Sequence, residues 1–587
     1  MIKFYICLLL FQVLALPMAN GQKIEKKTSD IEIVSQTSEE RIAVHYNTDV
    51  LFAGETLLYK IYCVDTPLNR LSTLSKVAYL DLIASDGSYI FRHKIRLNSG
   101  QGQGDFFVAS NIASGNYMLI GYTNWMKNSG KASFFKRQIT IINPYVDAKS
   151  DSNVAKGDDT IIERKKVSKP TQINTLQKIT LSPDKPSYKK RNKVSLTISC
   201  LDEKNQKGAF SLSVRKVDAL DSLSSKIHRN PELLSITNDK QKDEFVYLPE
   251  LRGELISGSV VYKDSGLPAA GTNVSLSIPG QAYIFDVVST DQKGRFFFNL
   301  SSGYDGENAI IQSLVNSDSQ SVEIQFDTVS SDAGLHFKSS SFYIDSKFKE
   351  HIRERSVHSQ IENAYSEKRQ DTLISAEANY PFFYEENYDI FNLDDYTRFP
   401  SVKETFIEIV QYASIRKNGG KMSFSILPSN NLLNSSYAPL VLVDGIQIPN
   451  HENIIAYSAR NIQRILIFRE KFFYGSEGYQ GALIFETVDG DYFEKMNRKG
   501  KHIENLFKPQ PRKKYFKQEY NAENTMNSNN IPDYRYQLLW EPNIQIDSAQ
   551  KTIEFFTSDL SGDFEIRLEG FTEKSGSVSI TKVITVD

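Results

Sequence analysis

Few residues of this chain have a spacing that could support chemistry. His351, Glu354 and His358 stand at positions i, i+3 and i+7, where they would share one face of a helix and could hold a metal ion. They lie in the highly charged segment 347–368, so a solvated helix face explains the pattern better than a metal site does. We therefore predict no metal site.

The sequence motifs of common catalytic sites are missing. Gly130-Lys131-Ala132 and Gly420-Lys421-Met422 lack the hydroxyl and the spacing of a phosphate-binding loop, and they fit turns instead. Neither a Gly-x-Ser-x-Gly nucleophile elbow nor a His-Glu-x-x-His zinc motif occurs. Because no acid, base and nucleophile can be grouped, we expect no catalytic residues, no cofactor and no enzymatic activity.

The segment 380–400 combines aromatic and acidic side chains. It could be a contact strip for a partner protein or a glycan, a calcium loop, or a segment that packs the neighbouring modules together. The acidic residues lack the regular spacing of a calcium loop, which favours packing. If the strip binds a partner, the contact residues are Phe382, Phe383, Tyr384, Tyr388 and Phe391.

Length and charge narrow the class of protein. The 587 residues are too many for one core and suggest roughly three to five domains. A net charge of −2 gives no overall reason to expect nucleic acid as a partner. Residues 1–21 have the pattern of a signal peptide, with Lys3 before an apolar run that stops at Pro17. No later run is long enough for a transmembrane helix, so we expect an exported chain without a span of its own.

Strand-like alternation begins after a polar lead at 22–40. Leu57, Tyr59, Ile61 and Cys63 fall on one face of a strand, and further short strands follow up to Asn143. This spacing predicts a β-sandwich over residues 41–145. A charged linker is expected at 146–176.

The start of this sandwich recurs later in the chain. Ile42 and Ile179 are 137 residues apart, and the same offset relates Cys63 to Cys200. The first sandwich closes with Ser-Gly-Asn-Tyr at Ser114, but the matching Ser-Gly-Asp-Phe appears only at Ser561. We therefore predict one discontinuous sandwich made of 177–218 and 535–587, with a separate C-terminal β-domain as the alternative. Cys63 and Cys200, in separate cores, should be unpaired.

These features resemble known families. The two sandwiches resemble the macroglobulin-type domains that build alpha-2-macroglobulin, on their closures and on the long strands before the cysteines. The segment 251–328, with Ile256-Ser257-Gly258-Ser259-Val260 and Thr290-Asp291-Gln292-Lys293-Gly294-Arg295-Phe296, resembles the carboxypeptidase-regulatory-like, transthyretin-like sandwich. The chain lacks a Gly-Cys-Gly-Glu-Gln thioester, which argues against covalent trapping of proteases.

Residues 401–495 resemble the plug domain of TonB-dependent outer-membrane receptors. The resemblance depends on Pro439-Leu440-Val441-Leu442-Val443-Asp444-Gly445-Ile446 and on the segment from Tyr474 to Ile484. Fewer than 95 residues follow, too few for a receptor barrel of 22 strands at about ten residues each. The resemblance adds Asp444, Gly445 and Tyr474 to the candidate partner-binding residues, although Asp444-Gly445 is most simply a turn.

The remaining segments are expected to connect these modules. An irregular or helical connector is predicted at 331–400 and a linker at 496–534, where the basic run from Lys508 to Lys517 could meet lipid phosphates but fits a solvated linker better. The predicted fold class is mainly β and multi-domain, with a small α+β plug-like module. The order of modules resembles secreted Bacteroidetes envelope proteins, which implies a periplasmic or outer-membrane location.

Two functions follow as hypotheses. The first is a non-catalytic envelope scaffold that docks an outer-membrane or surface protein through its plug-like module. The second is a glycan- or nutrient-binding protein of the periplasm or cell surface. Both depend in part on resemblance, and a fold does not by itself determine a function.

Overall fold

The structure is a computed structural model. The residues that it describes are 23–25, 39–145, 179–200, 208–221, 245–280, 283–301, 303–314, 321–327, 337, 342, 344–374, 388–418, 420–429, 437–475, 477–496, 501–520, 531–546, 549–572 and 576–587. Strands far outnumber helices in these ranges, so the chain is mainly β and multi-domain, as the sequence predicted. The chain forms two compact units. Unit 1 contains residues up to 251, 331–374 and 509–587, and unit 2 contains 252–330 and 375–508.

The first sandwich of unit 1 has two antiparallel sheets with one short parallel edge. One sheet has the order β3-β10-β9-β6-β7, and in the other β4 pairs with β2, β5 and β8. After β1 (Lys23–Glu25), the strands are β2 (Glu40–Tyr46), β3 (Val50–Phe52), β4 (Thr56–Asp65), β5 (Arg70–Leu71), β6 (Val77–Ile83), β7 (Tyr89–Arg96), β8 (Gln101–Phe107), β9 (Gly115–Tyr122) and β10 (Phe135–Ile142).

The second sandwich is built from two distant parts of the chain. Strand β13 pairs with β33, and β14 lies between β34 and β32, so early and late strands share both sheets and one buried core. This is the discontinuous arrangement that the two incomplete halves of the sequence predicted. The strands are β11 (Ile179–Pro183), β12 (Ser187–Tyr188), β13 (Lys193–Cys200), β14 (Gly208–Lys216), β32 (Gln537–Ile546), β33 (Gln550–Phe556), β34 (Gly562–Thr572) and β35 (Gly576–Val586).

Strand β4 is buried on both faces because its outer face meets the second sandwich. Its Tyr62 hydroxyl lies 2.9 Å from Ser211 Oγ, and its Lys60 ammonium donates to Asn543 Oδ1 at 2.8 Å. The imidazole of His45 on β2 also contacts Ser211, at 2.5 Å. Cys63 and Cys200 are both buried and are not joined by a disulfide, as the sequence predicted.

A helix of the inserted segment carries an arginine into the contact between the two sandwiches. Helix α1 (Lys349–Ala364) places Arg355 there with an exposed fraction of 0%. The guanidinium donates to Glu55 of the first sandwich at 2.9 and 2.7 Å and to Asp218 of the second at 2.9 Å. The pKa of the Glu55 carboxyl would be raised by burial, but Arg355 and Arg215 outweigh burial and hold it below its ordinary value. The face of α1 that carries Arg355 is therefore buried. The solvated face predicted for His351, Glu354 and His358 is correct for Glu354, which is exposed, and wrong for the two histidines, which are half-buried.

Three further segments differ from their predicted roles. Lys23–Glu25, expected in a flexible lead, pairs as β1 with β15 (Phe245–Tyr247). The predicted linker at 496–534 contains β30 (Lys501–Asn505), which extends a sheet of unit 2, and β31 (Arg512–Lys514), which pairs with β22 (Thr372–Ile374). Periodicity could not predict these two strands, because Ile503 is their only apolar residue. The predicted signal peptide and the linker at 146–176 lie outside the described ranges.

Unit 2 begins with a second type of sandwich. One sheet has the order β19-β16-β21 and the other β18-β17-β20-β30, around a core that includes Phe296 and Phe298. Gly294, at a φ of +73°, allows the turn that leads into β19. The strands are β16 (Glu254–Tyr262), β17 (Asn273–Ile278), β18 (Ile284–Ser289), β19 (Arg295–Leu300), β20 (Asn308–Ser313) and β21 (Val322–Phe326), with β30.

The segment predicted as a plug-like module forms, together with β23 before it, a five-stranded sheet in the order β23-β28-β29-β26-β27. Its likeness to a plug domain stays a prediction, and the name plug-like module is kept here for residues 388–496. Its helix α2 (Val402–Glu408) is capped by Ser401, whose Oγ accepts the Glu404 amide at 3.3 Å. A hairpin of β24 and β25 does not pair with this sheet but packs against its core. The elements are β23 (Tyr388–Asn392), α2 (Val402–Glu408), β24 (Ala413–Asn418), β25 (Lys421–Ile426), β26 (Leu440–Val443), β27 (Ile446–Gln447), α3 (Glu452–Ile455), β28 (Ile462–Tyr474), β29 (Glu477–Thr487) and α4 (Tyr492–Lys495).

Candidate partner-binding surface

The central sheet of the plug-like module is covered on both faces over most of its width. On one face, Val402 and Phe406 of α2 pack in one cluster with Val441 and Ile465 of the sheet. On the other face, Phe285 of β18 packs in a cluster with Leu440, Leu442 and Leu466. This double burial explains why β26 is an unbroken apolar run. A partner surface must therefore lie where the covering layers end.

The predicted aromatic strip contributes mainly to packing where the structure describes it. Phe391 is buried in the core of the plug-like module. Tyr388 is half-buried, and its ring centroid lies 6.0 Å from that of Phe468. The other three candidates of this strip, Phe382, Phe383 and Tyr384, lie outside the described ranges. A partner-binding role for the strip stays a prediction.

The Asp444-Gly445 pair forms a turn, as its sequence suggested. The Asp444 carboxylate accepts the Thr487 amide at 2.9 Å and the Thr487 hydroxyl at 2.6 Å. Gly445 has a φ of +79°, and a Cβ there would come within 2.5 Å of the Tyr283 ring. Both residues thus hold the turn between β26 and β27, and Gly445 permits close contact with the neighbouring sandwich.

Tyr474 joins the end of β28 to the neighbouring sandwich of unit 2. Its hydroxyl donates to the Phe285 carbonyl at 3.1 Å, and the two rings stack with centroids 5.7 Å apart. Burial and the nearby Asp286 carboxylate raise the pKa of Tyr474, so the phenol stays protonated and can donate. Tyr474, like Asp444, therefore makes a contact within unit 2 that gives it a structural role.

One exposed apolar surface of the module lies on the face of β28 opposite to Tyr474, near the hairpin with β29. Phe473 is 61% exposed there, and further exposed apolar side chains come from the loops that flank β24 and β25 and from the start of β26. We call this group the aromatic surface. Its members are Tyr412, Leu427, Tyr437, Arg469, Lys471 and Phe473.

Cations lie on the rings of the aromatic surface. The Lys471 ammonium is 4.3 Å from the Tyr437 ring centroid and 5.2 Å from that of Phe473. The Arg469 guanidinium is 4.1 Å from the Tyr412 ring and donates to the Leu427 carbonyl at 3.0 Å. Such cation–π contacts stabilise exposed rings by about 0.5–1 kcal/mol each. The surface therefore combines exposed rings with two positive charges that lie against them.

Tyr412 has an unusual backbone conformation. Its φ of +65° is in the left-handed region, which a bulky side chain rarely adopts. The Arg469 guanidinium stacks on the Tyr412 ring, and the Tyr412 carbonyl accepts a hydrogen bond from the Leu427 amide at 2.8 Å. Backbone strain of this kind collects at functional sites. The strained residue thus lies within the aromatic surface.

The two histidines of the metal-site candidate on α1 make contacts within unit 1. His351 Nε2 lies 2.7 Å from Asp218 Oδ1, and the His358 ring stacks on Tyr534 with centroids 4.4 Å apart. Across the described ranges, no group of His, Cys, Asp and Glu is arranged to hold a metal ion.

The basic run from Lys508 to Lys517 makes ion pairs within the protein. Lys513 pairs with Asp105 at 2.8 Å, and Lys517 pairs with Glu541 at 2.5 Å.

Comparisons with known proteins give only remote structural likeness. No protein-family model matches the chain, and no curated protein matches it. Among solved structures, it is similar to Escherichia coli alpha-2-macroglobulin activated by porcine elastase, at 8% identity and a TM-score of 0.22, over 93% of this chain and 44% of that one. Salmonella alpha-2-macroglobulin reacted with methylamine gives 8% identity and a TM-score of 0.23, over 93% and 39%.

The chain spans less than half the length of these two structures. TM-scores of this size carry no argument about fold or function, so the proposals below depend on the contacts within the chain. In the described parts of the chain, no helix is both long and apolar enough to cross a membrane.

Proposed function

We propose that the protein is a non-catalytic scaffold and binding protein of a bacterial envelope, and that it docks an outer-membrane or surface protein through the aromatic surface. The observation that carries this proposal is the joint exposure of Phe473, Leu427, Tyr437 and Tyr412. Contiguous exposed apolar groups mark interaction sites, and aromatic residues and arginine are enriched in protein interfaces.

The buried contacts of unit 1 support the scaffold part of the proposal. Arg355 binds carboxylates from both sandwiches and lies over the rings of Phe52 and Tyr536, at 4.5 and 5.1 Å from their centroids. An arrangement in which one cation satisfies groups from several elements favours a single geometry. Unit 1 therefore suits a rigid spacer better than a flexible array of domains.

Glycan or nutrient binding is the second candidate, because exposed rings beside Lys471 could also take a sugar. The positions of the cations favour a protein partner. Lys471 lies over the rings of Tyr437 and Phe473, so a face that a sugar could stack on is already occupied. The aliphatic Leu427 adds an apolar contact that suits a protein side chain.

A pull-down from the detergent-solubilised envelope of the source bacterium tests the proposal. The variants are Phe473→Ser, which removes the most exposed ring of the aromatic surface, and Ile407→Ser on α2, a control that is 67% exposed. We expect a stoichiometric membrane protein with the wild type and the control, and its loss with Phe473→Ser. Equal capture by all three proteins, or glycan-array binding without a protein partner, would contradict the proposal.

Deletion of 401–495 is a weaker test than these point variants. The plug-like sheet covers Phe285 and Val287 of the neighbouring sandwich, so its removal would expose their apolar cluster. Loss of association after deletion could then reflect misfolding.

A further inference from the structure

The C-terminal strand of unit 1 has an open backbone edge. Strand β35 pairs with β34 over its whole length, from Gly576 to Val586, without a shift in register. Its other edge pairs with β12 only at Thr585 and Val586. From Ser579 to Val583, no strand pairs with this edge within the described ranges.

The hydrogen bonds at the end of β35 show which residues point outward. The Asp587 amide donates to the Tyr188 carbonyl at 2.9 Å, and Thr585 donates to Pro186 at 3.4 Å. Backbone groups alternate between the two edges of a strand. Ser579, Thr581 and Val583 therefore direct their N–H and C=O groups to the open edge, where the described residues supply no partner.

Other sheet edges of unit 1 are blunted by features that β35 lacks. Strand β32, at the opposite edge of the same sheet, contains Pro542 and has two shifts in its register with β14. In the first sandwich, Pro509 bridges to Lys94 on edge strand β7, and Gln510 donates to the Lys94 carbonyl at 2.7 Å. Proline, irregular register, covering segments and charged side chains are the usual ways to keep an edge from pairing. Between Ser579 and Val583, strand β35 has no proline and no register shift, and Lys582 is its charged side chain. A carboxylate beside Lys582 would offset the protection that this charge gives the edge.

The side chains along this edge suit an added strand. Ser579, Thr581 and Val583 are exposed, small or β-branched, and Val583 is 51% exposed. On the other face, Val578 and Ile584 are buried in the core, while Lys582 between them is exposed. No salt bridge of Lys582 is found in the described part of the chain. An added strand would place a residue beside Lys582, where a carboxylate would be favourable.

We propose that the open edge of β35 binds an extended segment of a partner protein by strand addition, with an acidic residue of that segment beside Lys582. The backbone groups of Ser579, Thr581 and Val583 supply the pairing, and Lys582 supplies selectivity. A second copy of this chain fits less well, because β35 has no acidic residue to place beside Lys582. This surface is independent of the aromatic surface and of the function proposed for it.

Binding of a designed peptide to the full chain tests the proposal. The probe is a fluorescein-labelled nonapeptide of alternating Thr and Val with a central Glu, and a matched peptide carries Lys at the centre. Thr581→Pro removes one outward donor at an edge position where proline is tolerated, and Thr581→Val is its control. Tryptophan fluorescence checks that each variant remains folded, since Trp540 lies on β32 of the same sheet.

We expect the Glu peptide to bind and to slow hydrogen exchange at the amides of Ser579, Thr581 and Val583. Thr581→Pro should weaken binding about tenfold or more, whereas Thr581→Val should not, and Lys582→Glu should reverse the preference between the two peptides. Three results would overturn the proposal. These are amides already protected in the chain alone, no protection by either peptide at millimolar concentration, and a dimer that Thr581→Pro dissociates.

Discussion

Replacement of Arg355 by methionine removes the cation that joins α1 to both sandwiches of unit 1. The change leaves the Glu55 and Asp218 carboxylates buried, with exposed side-chain fractions of 12% and 1%. Loss of one partner from a buried ion pair costs about 3–5 kcal/mol. Glu55 keeps Arg215 at 3.4 Å, and Asp218 keeps His351 at 2.7 Å, so we expect the lower end, about 3 kcal/mol, or roughly a hundredfold in the unfolding equilibrium.

Urea unfolding followed by tryptophan fluorescence measures this effect in unit 1 alone. The chain has two tryptophans, Trp125 and Trp540, and both belong to unit 1. The control is Arg353→Met on the same helix, whose side chain is exposed and should change stability by less than about 0.5 kcal/mol. A loss for Arg355→Met that equals the control would refute the account of this contact.

The pH dependence gives a second check on the same contact. Burial would raise the pKa of Asp218, but Arg355, the Leu220 amide and His351 outweigh it and hold that pKa below its ordinary value, as for Glu55. A carboxyl group whose pKa is lower in the folded than in the unfolded state stabilises the fold at a pH above the unfolded-state pKa. This stabilisation is lost as the pH falls through the folded-state pKa. The difference between wild type and Arg355→Met should therefore shrink below about pH 4. A constant difference from pH 7 to pH 3 would contradict this assignment.

Three further predictions concern single residues. Burial and, less strongly, Arg512 lower the pKa of Lys60 to about 7, whereas Glu541 acts in the opposite direction. Because protonation of Lys60 then destabilises the fold, the stability of unit 1 should rise from pH 7 to pH 9 in the wild type but not in Lys60→Met. Equal pH slopes for the two proteins in urea unfolding would refute this. Burial raises the pKa of Asp286 to about 6, although the hydrogen bond from the Val287 amide lowers it. Because the ionised carboxylate then destabilises unit 2, Asp286→Asn should slow hydrogen exchange in β18 at pH 7.5 but not at pH 4. An equal effect at both pH values would contradict this prediction. Ser401→Ala removes the cap of α2 and should cost about 1 kcal/mol by thermal unfolding, while exposed Ser414→Ala should cost almost nothing.

Sequence periodicity predicted the regular strands well, because their burial is local and alternating. Strand β13 shows the strict pattern, with Val194, Leu196 and Ile198 buried and the residues between them more exposed. The two unfinished sets of strands predicted a shared sandwich because each set alone would leave an apolar face uncovered. The unbroken apolar run of β26 is typical of a strand that is buried on both faces, and α2 covers one of those faces.

The contacts that sequence reasoning missed depend on tertiary position. Helix α1 buries Arg355, Ser356 and Ser359. Because these residues are polar, the sequence pattern predicted a solvated face where the helix is packed. Phe473 lies on the alternation that buries Ile465 and Ile467, yet it is exposed because the covering layer ends before it. No local pattern shows where a covering layer ends. The aromatic surface therefore became visible only with the fold.

The central proposal is that a partner protein docks on the aromatic surface, and site-specific photo-crosslinking tests it most directly. A photoreactive phenylalanine analogue at position 473, in intact cells of the source organism, should yield one discrete adduct with a membrane protein. The same analogue at Ile407 on α2, exposed on the same module, should yield none. No adduct at 473, or the same adduct from both positions, would contradict the proposal.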